Sequence, residues 1–64
     1  MACWKAVITV SHNDQTWKVA FYKWGDDFTN EEAIKRLDAL YIGCNVIPIA
    51  VETYRIDERT GKRI

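Results

Sequence analysis

The chain has 64 residues, nine Lys+Arg against nine Asp+Glu, and a hydrophobic fraction of 48%. At that length folding removes only about 60% of the unfolded chain's accessible surface, so residues 1–64 form one thin-cored domain with no room for a second. The charge balance speaks against a general polyanion binder, the apolar content against disorder, and the size against a complete enzyme pocket of ~300–1,000 Å³.

Residues 1–5 lead straight into an alternating pattern, with no basic stretch followed by an apolar run. The expectation is a chain without a secretory signal. The longest apolar run, Val46 to Val51 with Pro48 inside it, is strand length and far short of the ~20 residues that span a bilayer. A cytoplasmic protein with no membrane contact is expected. Cys3 and Cys44 are the only cysteines. Each opens a predicted strand, and those strands run antiparallel in the architecture below. Their Cα atoms then lie about 20 Å apart, beyond the ~7 Å that a disulfide allows, so two free thiols are expected.

Residues 3–11 alternate. Trp4, Ala6, Ile8 and Val10 share one side; Cys3, Lys5, Val7, Thr9 and Ser11 share the other, which is the period of a strand. Ser11 to Gln15 reads as a hairpin loop of three to five residues. Residues 16–24 alternate again, with Trp17, Val19 and Phe21 on one side and Lys18, Ala20, Tyr22 and Trp24 on the other. Gly25-Asp26-Asp27 breaks this strand. Thr29-Asn30-Glu31-Glu32 then matches a capping box, with Phe28 as the preceding staple residue. The spacing predicts a helix over 30–42 stopped by Gly43, with Ile34, Leu37, Leu40 and Tyr41 on its apolar side.

Residues 45–57 read as a third strand whose phase breaks. Ile47, Ile49 and Val51 agree with one another, while Tyr54 and Ile56 take the opposite phase, and a bulge near Glu52-Thr53 reconciles them. Pro48 cannot donate to a ladder and places this strand at an edge. Asp57 to Lys62 is turn-like, and Arg63-Ile64 is either a fourth-strand stub or a tail.

The order strand, strand, helix, strand predicts an α+β fold: a three-stranded, mostly antiparallel sheet with one helix on one face. A right-handed crossover sets the third strand beside the first, giving spatial order 2-1-3. The predicted core joins Trp4, Ile8, Val10, Trp17, Val19 and Phe21 to the helix residues, with Ile47, Ile49 and Val51 completing it. The other sheet face stays open and carries Lys5, Val7, Thr9, Lys18, Ala20, Tyr22 and Trp24, with Tyr54 beyond the bulge.

No residue cluster points to catalysis. Asp26 and Asp27 are sequence neighbours that diverge, and acidic residues before a helix are favourable through the dipole alone. His12 sits in a turn with no nucleophile facing it and no metal-ligand spacing near it. Gly61-Lys62 lacks the rest of a phosphate loop. No metal, cofactor or enzymatic activity is expected. Charge is uneven along the chain, with a net of −2 over residues 1–54 and +2 over residues 55–64.

The layout of a hairpin, a capped helix and a last strand running into Tyr54-Arg55-Ile56-Asp57-Glu58-Arg59-Thr60-Gly61 resembles small phage- and mobile-element-encoded inhibitor proteins of the anti-CRISPR or other anti-defence type. The resemblance is one of size and architecture, without a shared motif. It implies a cofactor-free chain that acts by occupying the surface of a larger protein. The exposed aromatic and cationic residues name the expected binding surface: Lys5, Lys18, Tyr22, Trp24, Tyr54, Arg55 and Arg59. A nucleic-acid-binding module using the open aromatic face and the basic C-terminal end is the alternative. The C-terminal part of the third strand, Thr53 to Ile56, whose edge carries only Arg55 as protection, and the open aromatic face together are expected to form either a homodimer or the contact surface for a larger protein.

Overall fold

The computed structural model describes residues 2–64. It contains strands β1 (Cys3–His12) and β2 (Gln15–Trp24), helix α1 (Asn30–Leu40) and strand β3 (Ile47–Ile56). The sheet order is β2-β1-β3, with both neighbours of β1 antiparallel to it. This is the α+β fold and the strand order that the alternation and the crossover rule predict.

The hairpin is tighter than its sequence suggests. His12 pairs with Gln15, so only Asn13 and Asp14 form the turn, at φ +49° and +65°. Two successive positive φ values define the turn that matches the natural twist of a hairpin, and Asn and Asp tolerate them best after Gly. The far end of the hairpin is closed by the Gly25 N–H donating to the Ala2 carbonyl at 2.9 Å.

Thr29 caps α1. Its hydroxyl accepts the Glu32 N–H at 3.1 Å and donates to the Glu32 carboxylate at 3.3 Å. Glu31 and Glu32 in the first turn complement the helix dipole. The helix stops at Leu40, two residues before the expected end. Tyr41 leaves helical geometry at φ −108°, ψ 37°. Its hydroxyl accepts the Trp17 Nε1–H at 3.1 Å, and the two rings meet edge to face at 6.2 Å, which ties the helix end to β2.

The core is Ala6, Ile8 and Val10 from β1 with Ala33 and Leu37 from α1, completed by Phe28. Phe28 is the largest fully buried side chain, although the sequence pattern marks it only as a staple. Trp4, Trp17, Val19, Phe21, Ile34, Tyr41 and Val51 pack half-buried around it.

Three expected core residues lie outside. Leu40, Ile47 and Ile49 are each more than half exposed. The register explains the last two. Thr9 pairs with Ala50 and Val10 with Pro48, so Ile49 is the extra residue of a bulge. The bulge therefore falls at Ile49 and not at Glu52-Thr53. From Ala50 to Ile56 the alternation is unbroken: Val51, Thr53 and Arg55 face the helix side, and Glu52, Tyr54 and Ile56 face the open side.

After β3 the chain turns back. The Asp57 N–H bonds the Lys62 carbonyl at 2.8 Å, the Ile64 N–H bonds the Arg55 carbonyl at 3.0 Å, and Ile56 bridges Arg63. The predicted stub is thus one antiparallel bridge, held to β3 by an Arg63–Glu52 ion pair at 2.6 Å. The two thiols are free, Cys3 buried and Cys44 exposed.

Candidate functional site

Directly opposed residues in an antiparallel pair point to the same side of the sheet. The register therefore writes out the open face row by row. Tyr22, Lys5 and Tyr54 lie side by side across β2, β1 and β3; Trp24, Cys3 and Ile56 form the row at the closed end. Lys18, Thr9 and Ala50 form a row nearer the hairpin turn.

Aromatic and cationic groups alternate across the central row. The Lys5 ammonium lies 5.6 Å from the Tyr22 ring centre, and the Arg63 guanidinium lies 4.7 Å from that of Tyr54. Tyr22 is 53% exposed and Trp24 is 56% exposed. Glu52 is the only carboxylate that the three strands place on this side, and Arg63 engages it. Lys5 and Lys18 are left without a carboxylate partner among the described residues.

Five of the seven residues expected at the binding surface share this face: Lys5, Lys18, Tyr22, Trp24 and Tyr54. Arg55 does not. It pairs with Trp4 and so projects from the helix side, as the strand neighbour of Tyr54 must. Arg59 lies in the exposed 57–62 turn beyond the end of β3, where its backbone N–H donates to the Asp57 carboxylate at 2.8 Å. Arg63, which the sequence marks only as part of the basic C-terminal end, also reaches this face. Its place follows from the Asp57–Lys62 turn, whose positive-φ Gly61 returns the chain along β3.

The opposite side of the molecule is occupied by its own contacts. Lys23 donates to the Asp27 carbonyl at 2.9 Å and to the Glu32 carboxylate at 2.7 Å. The hydrogen bond and charge of Lys23, with a smaller contribution from Thr29, hold the Glu32 carboxyl below its ordinary value of 4.5. A shallow recess of about 530 Å³ lies against the helix N-terminus. Of its polar lining residues, Thr29 accepts the Glu32 N–H and Asn30 accepts the Thr53 hydroxyl at 3.0 Å. His12 bridges inward, its Nδ1 within 2.9 Å of the Asn45 carbonyl and its Nε2 within 3.2 Å of the Asn13 amide. These two contacts tie the hairpin turn to the segment before β3. No group of three or more His, Cys, Asp or Glu side chains among the described residues is arranged to hold a metal ion. No described helix is long and apolar enough to cross a membrane.

Comparison with protein-family models, curated proteins and solved structures finds no match to this chain.

Proposed function

We propose that this chain is a non-catalytic binding module that docks onto a larger protein through the open face of its sheet. One observation carries the reading: Tyr22 and Trp24 stand more than half exposed in adjacent rows of a regular three-stranded sheet. Tyr and Trp are the side chains most enriched among binding hot spots, and a sheet holds them at little further entropic cost. The unneutralised Lys5 and Lys18 favour a partner whose contact surface is acidic around an apolar centre. A chain that acts by covering a larger protein's surface works as an inhibitor or regulator, in the manner of the phage-encoded inhibitors it resembles in size and layout. A cytoplasmic partner is part of the proposal. The dimer expected through Thr53 to Ile56 is not, because the returning residues 63–64 take up the Arg55–Ile56 part of that edge.

Nucleic acid is the competing ligand for an aromatic and cationic sheet face, since bases stack on exposed rings. The two readings separate in one titration. The full chain is mixed with single-stranded oligonucleotides of random sequence at two salt concentrations, and in parallel is used to capture partners from the cell that encodes it. The proposal expects no salt-steep oligonucleotide binding, and a captured protein that Tyr22→Ala and Trp24→Ala release while Arg59→Ala does not. Oligonucleotide affinity falling steeply with salt, and weakened by Arg59→Ala, Lys62→Ala and Arg63→Ala, would assign the face to nucleic acid instead.

A further inference from the structure

The two edges of the sheet are not equivalent. The outer edge of β3 carries Pro48, a bulge at Ile49 and the returning C-terminal residues over Arg55 to Asp57. β2 runs ten residues with neither proline nor bulge. In a two-residue hairpin the residues flanking the turn exchange backbone hydrogen bonds, and the exchange recurs at every second pair. Trp17, Val19, Phe21 and Lys23 therefore bond to β1, and Thr16, Lys18, Ala20 and Tyr22 direct their N–H and C=O groups outward. The phase is visible in the structure: Arg36 reaches round from α1 to donate to the outward Tyr22 carbonyl at 2.8 Å. No such donor covers Thr16, Lys18 or Ala20 among the described residues.

Beneath this edge the helix gives incomplete cover, because α1 packs against β1 and β3. Trp17, Val19 and Phe21 are left half-buried along the underside of β2. An edge with free backbone groups above a half-covered apolar stripe is a template for another strand.

We propose that the occupant is β2 of a second copy, paired antiparallel about a two-fold axis at Val19. That register sets Trp17 opposite Phe21 of the second copy, twice by symmetry, and sets Lys18 opposite Ala20. No like charges face each other. Of the two neighbouring registers, the one with its axis at Lys18 opposes two lysines, and the one with its axis at Ala20 sets Trp17 opposite Lys23 in place of Phe21. The zero net charge of the chain removes the general repulsion between copies. Backbone pairing centred on Lys18 to Ala20, with Arg36 holding the Tyr22 carbonyl at either end, covers less than the ~800 Å² per partner of a standard stable interface, so the dimer is a weak one that forms at high concentration. The pairing uses a different surface from the open-face docking, and the two stand or fall separately.

Sedimentation equilibrium of the full chain from micromolar to millimolar concentration, with amide hydrogen exchange at both ends of the range, tests the pairing. The mass is expected to rise from 7.5 kDa towards twice that value, with the Lys18 and Ala20 amides slowing as it does. Ala20→Lys, at an exposed position, opposes a lysine to Lys18 of the second copy and is expected to weaken the dimer about tenfold or more. Ala50→Lys, equally exposed but on β3, is expected to leave it unchanged. A monomer throughout the range would overturn the proposal. So would a dimer that Ala20→Lys leaves intact, or one in which the Lys18 and Ala20 amides stay unprotected.

Discussion

Phe28→Ala is the perturbation that bears hardest on this fold. Phe28 is 0% exposed, precedes the Thr29 cap, and fills the space between the helix and the sheet. Its ring also lies under two cations, 5.9 Å from the Lys23 ammonium and 4.9 Å from the Arg36 guanidinium. Truncating a buried Phe costs about 3–5 kcal/mol. A 64-residue domain has in total only about 3–10 kcal/mol, at ~0.05–0.15 kcal/mol per residue. The variant is therefore expected to be largely unfolded or close to it. Phe28→Leu keeps most of the apolar volume and is expected to lose less than about 1.5 kcal/mol. Urea unfolding followed by tryptophan fluorescence reads both. With a slope near 1 kcal/mol per molar urea, Phe28→Ala lowers the midpoint by about 3 M or abolishes the transition. Ile42→Ala, at a residue 84% exposed, serves as the reference and is expected to change stability by no more than about 0.5 kcal/mol. If Phe28→Ala costs no more than Ile42→Ala, the core has been wrongly located.

Two further substitutions probe local geometry and charge. Asp14 holds φ +65° in the hairpin turn, so Asp14→Gly is expected to raise stability by about 0.5 kcal/mol, against the usual sign of a glycine substitution; a lowered urea midpoint would count against the two-residue turn. The Glu32 carboxyl is held below its ordinary 4.5 by Lys23, so its contribution is fully present above that value and is lost as pH falls through the lower folded value. The stability gap between wild type and Glu32→Gln should accordingly close on acidification and be reduced in a Lys23→Met background, whereas a gap constant down to strongly acidic pH contradicts the ion pair.

Strand order and helix were legible because each had its own signal: two clean alternations, a capping box and a crossover with one allowed hand. Apolar spacing does not reveal that the ladder shifts at Pro48, which makes Ile49 the extra residue of a bulge and sets Ile47 opposite Ser11 on the open side, away from the helix. Leu40 is the last residue of the helix, and its exposure has no signal in the apolar spacing. The apolar phase changes at Glu52-Thr53, which points to a bulge there. Proline was the better guide, since Pro48 disturbs the ladder one residue from the true bulge at Ile49. Tyr22, Trp24, Lys5 and Lys18 were legible because β1 and β2 alternate without interruption, and Tyr54 because it shares their phase through β1. Arg63 was not, because its approach to Tyr54 depends on a turn over Asp57–Lys62 that no periodicity announces.

The claim that the open face is the docking surface is tested most directly by photo-crosslinking from each side of the molecule. A photoreactive aromatic side chain, which keeps a ring in place of the indole, is introduced at Trp24 on the open face, and separately at Lys35, exposed on the helix. Both chains are produced in the cell that encodes the protein and irradiated there. A defined protein adduct from position 24, absent from position 35, is the predicted result. An adduct from position 35 alone, a nucleic-acid adduct from position 24, or none from either would contradict it.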